Sequence, residues 1–198
     1  MKRLACLIAG VLSMSAAAFA QTSPPPPVSA PVKRSAEEGR PFIRGYAPMN
    51  VGGNGQFWAI VQDKRGVIYA GTGAAVLEFD GASWRRIPLG SLVGVARSLA
   101  IDDTGRIYVG SVHDLGYLAP DAHGQLAFVS LRDKLPADAR DVKVVFRTHL
   151  VEDGVVFQSE RALYRWANGA FSVIPAPSRF HRSSLVDGRI YVPVPKAV

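Results

Sequence analysis

The chain has 198 residues, 48% hydrophobic and 20% charged, with 19 Gly, 14 Pro, one Cys and a formal net charge of +7. This balance excludes a disordered polymer, a collagen, a coiled coil and a disulfide scaffold. The length suits one or two domains that bury a sizeable core.

The first element is a targeting segment, expected over residues 1–20. Lys2 and Arg3 form a short positive region, Leu4 to Phe19 is apolar or small, and Ala18-Phe19-Ala20 gives a small-residue cleavage pattern before Gln21. That is the layout of a secretory signal peptide. The run is short for a membrane span, which needs about 20 apolar residues. Cleavage removes two cations and lowers the net charge from +7 to +5. It also removes Cys6, so the exported chain has no disulfide and no thiolate metal site. Residues 21–40 carry Pro24 to Pro27 and Pro31 with no hydrophobic period, and read as an extended, solvated linker.

Residues 41–198 repeat themselves. The stretch Ile60-Val-Gln-Asp63-Lys-Arg-Gly66-Val-Ile-Tyr69 recurs 39 residues on as Leu99-Ala-Ile-Asp102-Asp-Thr-Gly105-Arg-Ile-Tyr108. Shorter copies follow around Asp153, Gly154 and Phe157, then around Asp187, Gly188 and Tyr191. In each, an apolar strand enters an Asp/Gly turn. The carboxylate can accept backbone N–H groups and the glycine supplies a positive φ. An alternating strand then carries an aromatic at 69, 108, 157 or 191. A second hairpin is marked by Asp80-Gly81, His123-Gly124 and Asn168-Gly169. Turn signals so close together predict an all-β chain. Units of roughly 40 residues with four antiparallel strands are propeller blades. The expectation is a partial β-propeller of three to four blades. Because such rings close with about four to eight blades, the chain reads as part of a longer protein or as a truncated gene product, with a self-closing small propeller as the alternative.

The motif Ile60-x-x-Asp63-x-x-Gly66-x-x-Tyr69-x-Gly71-Thr72 resembles the two-component regulator propeller repeat. Phe79-Asp-Gly-Ala-Ser-Trp84, Leu115-Gly-Tyr-Leu118 and Pro41-Phe-Ile-Arg-Gly-Tyr46 are similar to the N-terminal periplasmic region of large propeller sensors. The resemblance covers about residues 41 to 192. It implies an exported, periplasmic sensor in which two propellers precede a β-sandwich, one transmembrane helix and a cytoplasmic output. That output would be a histidine kinase, a nucleotide cyclase or a DNA-binding domain. Attachment to a membrane would come only through such a C-terminal region. The third and fourth repeats depart from the pattern by shortening the turn.

No catalytic constellation is legible. His113, His123, His149 and His181 lack metal-ligand spacing, and no Gly-x-Ser-x-Gly elbow occurs. No metal, cofactor or catalytic residue is expected. Gly52-Gly53-Asn54-Gly55 lacks the Lys-Ser/Thr of a phosphate loop and reads as a flexible entry to the first blade. The cations are scattered and the chain is exported, so nucleic acid is not the expected partner.

One constellation points to a ligand. Arg97, Arg147 and Arg182 recur two to three residues before Leu99, Leu150 and Leu185, where innermost strands begin. Three guanidiniums there suit a carboxylate, sulfate or phosphate, and Trp58 in the first blade suits a sugar ring. The competing expectation is that these arginines bond carbonyls of neighbouring blades. The partner is thus a small molecule, a glycan or another anion, with self-association through open blade edges as a further contact. Two other functional classes stay open: an exported propeller enzyme such as a polysaccharide lyase or glycosidase, and a non-signalling interaction scaffold.

Overall fold

The computed structural model describes residues 43–90 and 94–195. The signal peptide and linker expected over 1–40 lie outside them. The described residues from Arg44 onward belong to one unit.

Three four-stranded antiparallel sheets follow one another, each strand pairing with the next in the chain. The first comprises β1 (Ala59–Gln62), β2 (Ile68–Gly71), β3 (Val76–Phe79) and β4 (Trp84–Ile87). The second comprises β5 (Ala96–Ile101), β6 (Ile107–Ser111), β7 (Leu115–Pro120) and β8 (Leu126–Ser130). The third comprises β9 (Arg147–Val151), β10 (Gly154–Gln158), β11 (Ala162–Ala167) and β12 (Ala170–Pro175). A two-stranded sheet, β13 (Ser184–Val186) with β14 (Arg189–Tyr191), opens a fourth unit.

The sheets stack face to face. The first strands lie side by side, β1 against β5 and β5 against β9, and the last strands β4 and β8 also touch. Two apolar layers result, because alternating side chains point to opposite faces. Tyr69, Val76 and Ile87 meet Leu99, Ile107, Val109 and Leu118 between the first and second sheets. Tyr108 and Leu115 meet Val155, Phe157 and Tyr164 between the second and third. The connection after β8 contributes Leu131, Leu135, Val142 and Val145 to that second layer, through two short 3-10 turns at Arg132–Lys134 and Ala137–Ala139. This filling explains the longer spacing of the third repeat.

The turns show why the motif has its spacing. Asp63 Oδ1 accepts the backbone N–H of Arg65 (2.9 Å) and Val67 (3.0 Å), while Gly66 stands at φ 88°. Asp102 does the same for Thr104 (2.9 Å) and Arg106 (3.0 Å), with Gly105 at φ 86°. Asp121 builds a third such turn between β7 and β8, accepting His123 (2.8 Å) and Gln125 (3.0 Å); the His123-Gly124 signal is its second half. Asp153 and Asp187 differ. The Asp153 carboxylate pairs with Arg165 across the sheet, and Asp187 itself takes φ 49° beside Gly188 at 72°. In these two-residue turns backbone conformation replaces the carboxylate staple.

The shorter turn also changes the register. Tyr69 and Tyr108 each point onward to the next sheet, whereas Phe157 points back onto Tyr108, with ring centroids 6.3 Å apart. The position equivalent to Tyr108 is Val156, opposite His149 on β9 as Tyr108 is opposite Ala100 on β5. Aligning Phe157 with Tyr108 is therefore wrong by one residue, and a slip of one places a side chain on the other face. A buried hydroxyl marks the true register: Thr72, Ser111 and Ser159 follow the second strand, and each backbone N–H bonds the carbonyl three residues on.

Gly52 to Gly55 follows a short helical turn. A 3-10 turn over Pro48–Val51 ends at Gly52 with φ 81°. A side chain at Gly53 would meet Pro48 O at 2.9 Å and Leu77 at 3.2 Å. The stretch lies on the face of the first sheet that points away from the second, where Tyr46 packs on Phe79 (5.3 Å) and Trp84 (5.4 Å).

Candidate functional site

Each repeat places one residue at the start of its first strand, and these residues form a row. Trp58 precedes β1, Arg97 lies in β5, Phe146 precedes β9 and Arg182 stands two residues before β13. The Arg97 guanidinium lies over the Trp58 ring at 3.5 Å and over the Phe146 ring at 5.9 Å. Arg182 also lies over Phe146, at 5.9 Å. The order is ring, cation, ring, cation. A guanidinium over an aromatic face gains about 0.5–2 kcal/mol, more as water is excluded.

Local structure explains why these side chains meet. The β5–β6 register shifts between Ala96 and Ser98, which makes Arg97 the extra residue of a bulge. A bulge breaks the two-residue alternation and re-aims the side chain. Below the row, Ser98 Oγ meets Thr148 Oγ1 at 2.8 Å and donates to Val145 O at 3.1 Å. These bonds hold β5 against the start of β9. Gly110 supplies the room for them: a side chain there would meet Thr148 Oγ1 at 2.9 Å and would press harder on Ser98 and Val145.

Of the four residues read from the sequence, the structure brings together three. Arg147 stands apart. It neighbours Phe146 and points to the opposite side of the strand, exposed, with its charge acting on His149. The member from the third repeat is Phe146, an aromatic next to Arg147 rather than an arginine. The Trp58 ring carries the Arg97 guanidinium on one face and remains partly exposed. Among the described residues, Arg97, Arg147 and Arg182 form no ion pair, and their side chains bond no carbonyl. Burial, and then the charge of Arg182, pulls Arg97 below the ordinary arginine value. Arg97 stays cationic all the same.

A polar clamp flanks the row. Gln158 is fully buried; its Oε1 accepts Ser183 N–H at 2.9 Å and Ser183 Oγ–H at 2.6 Å, and its Nε2 donates to His181 O at 2.5 Å. Since the Ser183 hydroxyl gives its proton to Gln158, it accepts from His149 Nε2, 2.8 Å away. That direction matters: a histidine donating to a serine cannot also deprotonate it, so this pair is not an activated nucleophile. Burial, then Arg147, lowers the His149 pKa and keeps the ring neutral.

A pocket of about 540 Å³ opens beside the row, lined by Phe146, Arg179, Phe180, His181 and Arg182. Arg179 pairs with Glu160 at 3.4 Å. The turn residues Asp63, Gly66, Asp102 and Gly105 sit at the opposite end of the first strands, with Asp153, Gly154, Asp187 and Gly188 in the matching turns. They do not join the row. Lys64 Nζ donates to Asp103 O at 2.8 Å and ties the first two turns together. Among the described residues no three His, Cys, Asp or Glu side chains gather as metal ligands.

Similar architectures occur in solved structures. The extracellular domain assigned to a one component system of B. thetaiotaomicron matches 69% of this chain with a TM-score of 0.52 and 16% identity. That assigned to a hybrid two component system of the same organism matches 67% with a TM-score of 0.50 and 20% identity. A streptogramin B lyase matches 67% with a TM-score of 0.51 and 15% identity. The chain is a partial β-propeller. The likeness in fold to these two extracellular domains accords with the propeller repeats. This propeller arc spans 19% and 20% of those ectodomains and 46% of the lyase. No family model and no curated protein matches the chain.

Proposed function

We propose that this arc is the ligand-binding part of an exported, periplasmic sensor propeller, and that it binds an anionic small molecule or glycan at the row of Trp58, Arg97, Phe146 and Arg182. The observation that carries the reading is two neighbouring guanidiniums, Arg97 and Arg182, with no carboxylate or carbonyl bonded to either among the described residues. Cations brought together without an anion repel one another, and a bound anion relieves that. Further support comes from the signal-peptide pattern of residues 1–20 and from the fold shared with sensor ectodomains. The role is binding rather than chemistry. Ligand binding would bias the packing of blades, and the shift would pass to an output domain such as a kinase or cyclase.

Calorimetric titration of the full chain with organic anions (acetate, citrate, benzoate and glucuronate) tests this. The expected result is saturable binding of at least one, lost in both Arg97→Ala and Arg182→Ala. Absence of saturable binding across the panel, or binding unchanged in both variants, overturns it.

A further inference from the structure

The row has an open end, and its alternation says what fits there. We infer that the pocket beside Arg182 takes a planar aromatic carboxylate, whose ring stacks on the Arg182 guanidinium while its carboxylate meets the terminal N–H groups of Arg179, which Glu160 approaches only at Nε, 3.4 Å away. The inference rests on the anion-binding reading above and narrows it. Trp58, Arg97 and Phe146 already satisfy one another, each ring facing a cation and Arg97 lying over two rings. Arg182 has only Phe146, and it is exposed. The next member of a ring-cation-ring-cation series is a ring.

The pocket has room for it. Its volume is about 540 Å³, ample for a substituted benzoate, within the range of about 300–1,000 Å³ usual for small-ligand sites. Its wall joins two apolar rings, Phe146 and Phe180, to two guanidiniums, Arg179 and Arg182. That combination fits a molecule with one flat apolar part and one anionic end. Bidentate guanidinium–carboxylate contact fixes the orientation. A sugar acid matches less well. Saccharide C–H faces stack on open aromatic rings, but Phe180 is buried and the Phe146 ring already faces Arg97 and Arg182, so the exposed planar surface is the Arg182 guanidinium. Lysine in place of Arg182 would keep the charge and lose that surface.

Calorimetric titration of the full chain with benzoate, 4-hydroxybenzoate, cyclohexanecarboxylate, glucuronate and sulfate is the test. Benzoate and 4-hydroxybenzoate should bind about tenfold more tightly than cyclohexanecarboxylate, which has the same charge without a planar face. Arg182→Lys should remove most of that preference and leave sulfate binding nearly unchanged. Phe146→Leu, which leaves every charge in place, should weaken aromatic acids more than sulfate. Equal affinity for cyclohexanecarboxylate or tighter binding of glucuronate would overturn the stacking inference while the anion-binding reading stands. An unaltered aromatic preference in Arg182→Lys would overturn it too. If no anion binds at all, both readings fail.

Discussion

Gly110→Ala tests whether close approach of blades, rather than glycine flexibility, governs the joint between the second and third sheets. Gly110 sits inside β6 with ordinary extended backbone, so alanine meets no conformational obstacle there. With open space around it, the change would stabilise the protein by about 0.4–1 kcal/mol, by restricting the unfolded chain. The space is not open. The new methyl would press on Ser98 Oγ and Val145 Cγ1 and would stand 2.9 Å from Thr148 Oγ1. Overpacking of this kind costs about 1–3 kcal/mol. Displacing the Ser98 hydroxyl also weakens its bonds to Val145 O and Thr148, at about 1 kcal/mol each. The net expectation is a loss of roughly 2–4 kcal/mol. Urea denaturation followed by tryptophan emission would then show the midpoint falling by about 1–2 M, for a slope near 2 kcal/mol/M. A midpoint that is unchanged or higher would refute the reasoning. A Ser98→Gly background should recover part of the loss, because it removes one of the colliding groups.

Other expectations follow from the same structure. Phe157→Ala should destabilise by about 3–5 kcal/mol, since the ring is fully buried against Tyr108, while Tyr191→Ala, 55% exposed, should change stability by under about 1 kcal/mol; equal effects in chemical denaturation would contradict the one-residue register shift. Burial pushes the Asp102 carboxyl up, but Thr104 Oγ1–H and the N–H groups of Arg106 and Thr104 outweigh it and hold the pKa below the ordinary value. The folded pKa being lower than the unfolded one, its contribution is complete above about pH 4 and is lost as pH falls through the folded value. Acid titration of stability should therefore be shallower below about pH 4 in Asp102→Asn than in the parent. Gln158→Leu should raise hydrogen exchange of Ser183 and its neighbours in β13 while the β5–β6 amides stay protected; uniform loss of protection would show that the clamp supports more than the fourth unit. Finally, mass spectrometry of the exported chain should find Gln21 as its first residue.

Much of the fold was legible because one side chain encodes a whole turn. Asp63 and Asp102 each staple two backbone amides, and the glycine three residues later must take a positive φ, so Asp-x-x-Gly fixes both the turn and the register of the strand that follows. Where that staple is absent, residue spacing does not fix the register. Around Asp153 the turn is closed by two residues with no carboxylate cap, so spacing to Phe157 carries no register information. The hydroxyl series Thr72, Ser111 and Ser159 does carry it, but its members are two residue types in unequal spacing. The site was legible only in part. Trp58, Arg97 and Arg182 were visible as chemistry at strand starts. Phe146 was hidden because Arg147 beside it offered the sought residue type, and because the Arg97 bulge offsets the spacing by one. Contacts that pass from blade to blade depend on which way each side chain turns, which sequence spacing does not record.

The joints between successive sheets are not alike, and the difference is mechanical. At the first, Gly71 lets neighbouring backbone come so near that a side chain would stand 2.7 Å from Ala96 O, and at the second a side chain at Gly110 would collide with the side chains of Ser98 and Val145. Such joints resist sliding as two blocks in full contact do. At the third, Gln158 occupies the same position and spans the gap with an amide reaching Ser183 and His181. A hydrogen-bonded bracket has intermediate settings, because its bonds can be exchanged one at a time. The seam between the third sheet and β13 thus rests on exchangeable hydrogen bonds to His181 and Ser183, the residues on either side of Arg182, where the first two seams rest on close contact.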